Sequence, residues 1–123
     1  MKELILKKCL KCDALVEVLE DCTCNNCGIR CCGEEMQKLT PILIDEKEPT
    51  LTYEVIGDVL VVRINEKSDD AQNVEWVSMV SDEVIGKKFF IQEKNNAVTF
   101  PYIPGSTVYA FCKENVLKFI TVD

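Results

Sequence analysis

The stretch CLKCDALVEVLEDCTCNNCGIRCCGEEM, residues 9–36, decides how the first part of this chain folds. It opens with Cys9 and Cys12 in CxxC spacing, which we call the knuckle. This spacing lets one turn of backbone present two thiolates to the same ion while backbone N–H groups hydrogen-bond to the sulfurs. Four thiolates at about 2.3 Å in a tetrahedron suit Zn²⁺ or a single iron ion. The stretch therefore predicts a small metal-binding module.

Two pairs of cysteines compete to complete the site. Cys31 and Cys32 are adjacent, so their side chains converge only on a strained backbone, which Gly33 helps to accommodate. Cys24 and Cys27 form a second CxxC followed by glycine, as in zinc ribbons. Spacing alone leaves both pairs open as partners of the knuckle.

The cysteines are concentrated at one end of the chain, because seven of the eight lie between positions 9 and 32. A segment of under about 40 residues buries too little apolar surface to fold unaided, so it needs a metal or disulfides. The apolar run Leu4-Ile5-Leu6 is ended by Lys7, which argues against a signal peptide, and no run reaches the roughly 18–20 apolar residues of a membrane span. We expect a cytoplasmic protein with no membrane contact, since thiols there stay reduced and hold metal.

The chain is acidic and contains no histidine, and its net charge is −7. Residues 1–39 carry six basic and seven acidic side chains, and residues 40–123 carry eight and fourteen. This surface would repel a phosphate backbone, so we expect no nucleic-acid binding. The absence of histidine excludes every site built on imidazole ligands and all histidine-dependent acid–base chemistry.

The rest of the chain reads as short β-rich runs separated by turns, after a connector or edge strand that contains Pro41. We place the domains at 1–38 and 39–123. Gly57-Asp58 predicts a tight hairpin, and no helical period is sustained. About seven short strands in roughly 80 residues fit an antiparallel β-sandwich. The predicted strands are Leu51–Ile56, Val59–Asn65, Val74–Val80, Lys87–Gln92, Ala97–Phe100, Thr107–Cys112 and Val116–Val122.

A CxxC, a strand and turn, and then CCGEEM at 31–36 resemble the desulforedoxin module. In desulforedoxin, and in the N-terminal domain of desulfoferrodoxins, this pattern binds one iron through four cysteines. The resemblance assigns the ligands of one iron or zinc ion to Cys9, Cys12, Cys31 and Cys32. Cys24 and Cys27 stay the alternative second pair. The chain departs from the family at Asp13, where glycine is usual, and in its longer loop before the double cysteine.

The remaining sequence is similar to the immunoglobulin-like sandwich of desulfoferrodoxins, the superoxide reductases, through LTYEVIGDVLVVRIN, VEWVSMV and TFPYIPGSTVYAFC. In that family this domain holds a second iron through four histidines and one axial cysteine, and it reduces superoxide to hydrogen peroxide. The resemblance places the axial ligand at Cys112. It places the four histidine positions at or near Glu48, Glu66, Gln72 and Asn115. None of these is histidine, although their oxygens could hold a hard cation weakly.

The resemblance thus implies a mainly β protein: a desulforedoxin-like four-cysteine module followed by an immunoglobulin-like antiparallel sandwich. It implies an iron-binding redox protein whose second iron site is absent and in which Cys112 is a vestigial ligand. The alternatives are a non-catalytic interaction module stapled by zinc and a superoxide reductase with a rebuilt site. A redox protein and a second copy of the chain are the expected partners.

Overall fold

The computed structural model describes residues 2–23, 28–69, 71–90 and 95–123. The chain divides between Thr40 and Pro41 into two compact units, which we call the Cys module and the β domain; Lys2 and Glu3 belong with the β domain. Every regular element of the described residues is a strand or a single 3-10 turn. None of these described elements is a helix with the length and apolar character that a membrane crossing requires. The prediction of a mainly β protein is confirmed.

The Cys module consists of a small sheet and a hairpin. Ile5–Lys8 (β1) lies between Leu15–Val18 (β2) and Gln37–Lys38 (β5), and both pairings are antiparallel. Arg30–Cys31 (β3) and Glu34–Glu35 (β4) pair with each other as the CC hairpin. Among the described residues of this unit, the buried apolar side chains are few: Leu4, Leu6, Cys9, Val18 and Met36. Units with so few buried apolar side chains typically need a crosslink to stay folded.

The β domain consists of two sheets. Their strands are Ile42–Leu43 (β6), Leu51–Ile56 (β7), Val59–Ile64 (β8), Val74–Val80 (β9), Ile85–Phe89 (β10), Ala97–Pro101 (β11), Thr107–Cys112 (β12) and Val116–Thr121 (β13). The three-stranded sheet has β8 in the centre, between β11 and β7. The five-stranded sheet has the order β10-β9-β12-β13-β6, and within it only the β13–β6 pairing is parallel.

The core of the β domain is built from alternate residues of both sheets. Leu60 and Val62 project from β8, and Val77 and Met79 project from β9; all four are completely buried. Two-residue spacing places these side chains on one face of each strand, so the two inner faces pack against each other as in a sandwich. The same core cluster contains Cys112 at the end of β12.

The alternation of apolar residues located most strands correctly, and the bounds predicted for β7, β9 and β12 are confirmed. The strand predicted at Lys87–Gln92 is wrong in its start, because β10 runs from Ile85 to Phe89. A tight turn explains the difference: the Ser81 N–H donates to the Val84 carbonyl, so the chain reverses at once after β9. Gln92 and the predicted turn residue Lys94 lie outside the described residues.

The sandwich core provides a matched test of packing, because Val59 and Val62 lie on the same strand. Val62 is fully buried, whereas Val59 is 41% exposed. We expect Val62→Ala to lower the free energy of unfolding by about 2 kcal/mol, through lost burial and the remaining cavity. Val59→Ala is the control and should change it by less than about 0.5 kcal/mol. Urea unfolding measures the free energy of unfolding of both variants. Equal losses in Val62→Ala and Val59→Ala would contradict the assignment of Val62 to the inner face of the sheet.

Candidate metal centre

The knuckle is the turn that joins β1 to β2. The Cys9 N–H donates to the Ala14 carbonyl at 2.9 Å, and the Asp13 N–H donates to the Cys9 carbonyl at 3.0 Å, so the turn is closed by two backbone bonds. Hydrogen bonds from the backbone N–H groups of Cys12 and Lys11 lower the pKa of the Cys9 thiol to about 7. The backbone thus favours a thiolate at Cys9, which is the form that binds metal.

Asp13 ends the knuckle in the left-handed region of backbone space, with φ at +65°. A side chain with a Cβ is strained there, and aspartate and asparagine bear that strain better than most residues. The position therefore requires a residue that tolerates positive φ. This accounts for both the glycine that is usual in the family and the aspartate found here.

The CC hairpin presents the second pair of cysteines. Cys31 pairs with Glu34, so the loop contains only Cys32 and Gly33, with φ values of +54° and +79°. Positive φ at both central residues is the signature of a type I′ turn, which matches the twist of a two-residue hairpin. The sequence assigned the accommodation of strain to Gly33, but Cys32 itself also adopts the left-handed conformation. The Arg30 guanidinium closes the turn by donating to the Gly33 carbonyl at 2.7 Å.

The knuckle and the CC hairpin bring four sulfur atoms together. All four Sγ atoms lie within 4.8 Å of one another: those of Cys9, Cys12, Cys31 and Cys32. The Sγ of Cys31 is 3.5 Å from that of Cys12 and 3.9 Å from that of Cys32. A tetrahedron with metal–sulfur bonds of about 2.3 Å has edges of about 3.8 Å, so these separations fit one ion held by four thiolates.

The charge balance of the cluster also favours a cation. Contact with the Cys12 sulfur, followed by contacts with Cys9 and Cys32, raises the pKa of the Cys31 thiol to about 12. Cys12 is also the main cause of the raised pKa of Cys32. Four thiols at this spacing cannot all ionise beside one another, because like charges oppose it. A divalent or trivalent ion removes that penalty by displacing the protons.

The four sulfurs span the boundary between the interior of the module and solvent. Cys9 is buried, Cys31 is half-buried, and Cys12 and Cys32 are exposed. Within the knuckle, Leu10 is 64% exposed. A salt bridge of 3.4 Å between Lys11 Nζ and a Glu34 carboxylate oxygen links the knuckle to the CC hairpin on this exposed side.

Cys22 is the one other described cysteine of the module, and it does not belong to this cluster. Cys22 is exposed and forms no disulfide. Cys24 and Cys27, the alternative second pair, lie outside the described residues. Among the described cysteines, the structure therefore brings together the set that the resemblance assigned. The structure also shows an ion pair of 2.9 Å between the buried Lys7 and Asp21 that the sequence did not predict. The two residues are fourteen positions apart, and no local pattern indicates such a contact.

The positions assigned to a second iron lie in several segments of the β domain. Cys112 is 3% exposed and lies in the sandwich core, at an irregularity in the pairing of β12 with β9. Asn115 occupies the turn after β12 with φ at +64°, a conformation that asparagine tolerates. Glu48 is exposed on the segment before β7.

Glu66 and Gln72 share an open cleft of about 480 Å³ with Asn95 and Asn96. The Asn96 side-chain amide donates to the Glu66 carboxylate at 2.8 Å. Among the described residues, the four-cysteine cluster is the sole group of three or more cysteine or acidic ligands close enough to share an ion. In the described structure, Glu66 does not belong to such a group.

A solved structure resembles the whole chain. The crystal structure of the superoxide reductase from Treponema pallidum matches with a TM-score of 0.69 over 98% of this chain and 99% of that chain. The chain has the superoxide reductase fold. Sequence identity is 16%, so the likeness is one of fold. No family model and no curated protein matches the sequence. Within the superoxide reductase fold, the four-cysteine cluster fits a desulforedoxin-like module.

The left-handed conformation at Asp13 can be tested by substitution. We expect Asp13→Gly to leave the stability of the metal-loaded module unchanged or raise it by up to about 1 kcal/mol, because glycine adopts positive φ freely. Asp13→Val should lower it by about 1–3 kcal/mol, since a β-branched residue is strained there. Thermal unfolding of metal-loaded protein, monitored by circular dichroism, distinguishes the two. Equal stability of the two variants would show that this φ is not needed.

Proposed function

We propose that the chain is an iron-binding redox protein that transfers single electrons at a mononuclear four-cysteine centre. The observation that carries this proposal is the convergence of the Sγ atoms of Cys9, Cys12, Cys31 and Cys32 within 4.8 Å. Iron held by four thiolates supplies a one-electron ferric–ferrous couple. The iron implied by the sequence resemblance also fits this soft ligand set, which suits zinc as well.

The residues around the cluster support a role in electron transfer. Cys9 anchors the site from the buried side, and its sulfur accepts the N–H groups of the knuckle, which tune a bound metal's potential. Cys12 and Cys32 bring the cluster to the surface, so a partner can approach closely. Lys11 and Glu34 form an exposed salt bridge across this surface, between the knuckle and the CC hairpin.

The acidity of the chain favours a basic redox protein as partner. Net charge is −7, and opposite charge on a partner speeds encounter.

We also propose that the chain acts in the cytoplasm, where reduced thiols keep the cluster able to bind metal. We also propose that two copies of the chain form a homodimer, by resemblance to the desulfoferrodoxin family. Sedimentation of the metal-loaded chain at several concentrations measures whether the dimer forms.

Metal loading tests the proposed centre directly. We expect one iron per chain in protein purified from its native source, with visible ferric–thiolate absorption that bleaches on one-electron reduction and returns on oxidation. Each of four serine substitutions should weaken metal binding by at least about 100-fold, because a lost ligand costs at least as much as a lost supporting group: Cys9→Ser, Cys12→Ser, Cys31→Ser and Cys32→Ser.

The matched controls are Cys22→Ser and the double variant Cys24→Ser/Cys27→Ser, which should keep the metal and the spectrum. If the double variant loses the metal and Cys31→Ser retains it, the second pair of ligands is Cys24 and Cys27. Zinc in native protein, with no reversible couple after iron loading, would instead favour the zinc-stapled interaction module. In either case, metal removal should unfold the Cys module, measured as lost amide protection in β1 and β2.

We further propose that the superoxide-reducing centre of the fold is lost in this chain. Four features support this: the absence of histidine, the burial of Cys112 in the sandwich core, the place of Asn115 in a turn, and the pairing of Glu66 with Asn96. The Cys112 thiol then serves as a small apolar side chain of the core.

Superoxide decay tests this loss. In a stopped-flow assay, we expect superoxide to decay at the same rate with the iron-loaded chain as with buffer alone. Cys112→Ala should decay identically and lose about 1 kcal/mol of stability. The proposal would be wrong if the chain accelerates superoxide decay and a folded Cys112→Ala variant decays superoxide only at the buffer rate. That outcome would favour a rebuilt superoxide-reducing site.

A further inference from the structure

The sulfur atoms of the four-cysteine cluster are not equally placed for bonding to one another. A separation of 3.5 Å joins Cys12 to Cys31 and crosses from the knuckle to the CC hairpin. A disulfide bond is about 2.05 Å long, so these two atoms need to approach by about 1.5 Å to form one. The cluster that fits a metal is therefore also close to a disulfide.

The neighbouring pair, Cys31 and Cys32, is poorly suited to a disulfide although its sulfurs are only 3.9 Å apart. Consecutive Cα atoms across a trans peptide are about 3.8 Å apart, below the range of about 4.4–6.8 Å in which disulfides usually form. Cys32 is also fixed in the left-handed turn of the hairpin, with φ at +54°. Bonding Cys31 to Cys32 would distort that turn, whereas bonding Cys31 to Cys12 leaves it in place.

Exposure distinguishes the two thiols of the favoured pair. Cys12 is exposed and Cys31 is half-buried, so a small oxidant in solution reaches Cys12 first. Cys9, the other thiol of the knuckle, is only 3% exposed and is shielded from attack. The half-buried sulfur at 3.5 Å is then in place to react with an oxidised Cys12.

We propose that Cys12 and Cys31 form a disulfide when a peroxide oxidises the centre, so that the Cys module has two alternative crosslinks, a metal and a disulfide. The inference rests on the metal binding proposed above. The Cys12 thiolate attacks one oxygen of hydrogen peroxide, the O–O bond breaks, and sulfenic acid and hydroxide form; the hydroxide takes a proton to become water. The Cys31 thiol displaces the sulfenic hydroxyl as a second water. Two thiols lose two electrons and two protons, and one peroxide becomes two waters.

This step exchanges one crosslink for another. It removes two ligands and leaves Cys9 and Cys32, which are too few for a four-thiolate site, so the metal is released. The new bond joins the knuckle to the CC hairpin, the same two segments that the metal joins, and closes the chain from 12 to 31. A crosslink of this kind restricts the unfolded state. The oxidised module therefore stays folded without metal, which a bond between Cys31 and Cys32 could not achieve.

Zinc-loaded full-length chain tests the proposal, because zinc itself has no redox chemistry. The background carries Cys22→Ser, Cys24→Ser and Cys27→Ser, so that the four cluster cysteines are the module's only thiols. After hydrogen peroxide is added, a chromophoric chelator reports zinc release. Trypsin then cuts after Lys11, Arg30 and Lys38, which separates Cys9 and Cys12 from each other and from the adjacent pair.

We expect one zinc released per disulfide formed, and a crosslink between the peptides 12–30 and 31–38. In reduced, zinc-free protein treated with peroxide, Cys32→Ser should keep this crosslink and Cys31→Ser should abolish it. In Cys31→Ser, a dione that traps sulfenic acid should label Cys12. Amide exchange in β1 should be at least tenfold slower in the oxidised zinc-free module than in the reduced zinc-free module.

Three results would overturn the inference: a crosslink that requires Cys32, a crosslink to the peptide 9–11, or a bond confined to the peptide 31–38. Failure of the background variant to bind zinc would instead count against the proposed metal centre. Zinc binding followed by release without any disulfide would leave that centre standing and refute this inference alone.

Discussion

The convergence of four thiols at the meeting of the knuckle and the CC hairpin is the constraint on which the Cys module depends. The module has one small sheet and few buried apolar side chains, so its segments need a crosslink to hold together. The separations of the sulfurs match the edge lengths of a metal tetrahedron that would join the knuckle to the CC hairpin. Because Cys12 and Cys31 are also close to bonding distance, the metal binding and the thiol oxidation proposed above would use the same atoms.

Backbone conformation, more than side-chain packing, places these sulfurs. Asp13 ends the knuckle at positive φ, and Cys32 and Gly33 turn the CC hairpin at positive φ. Each of these conformations is unfavourable for a residue with a Cβ, and the surrounding hydrogen bonds must offset the cost. Strain of this kind is a common property of metal sites, where the ligand geometry requires the backbone to turn sharply.

The β domain depends on a different physical principle. Its two sheets pack through alternate apolar residues that form one core cluster. Cys112 belongs to this core, where a small thiol packs as an apolar side chain does. The fold is that of a superoxide reductase, whereas the positions to which the resemblance assigns the four histidines of a second iron carry two carboxylates and two carboxamides. Redox chemistry in the proposal thus rests with the Cys module.

The sequence by itself determined the β class and the strands β7, β9 and β12, because alternation is a local signal. Its CxxC spacing indicated the knuckle but left two candidate second pairs, between which only the resemblance chose. The sequence also determined that no imidazole site exists, since that is a matter of composition. Only the tertiary structure decided which described thiols meet, that Cys32 shares the strain with Gly33, and that Lys7 pairs with Asp21. These depend on contacts between residues far apart in the chain, and such contacts are set by how the strands pack and not by any local pattern.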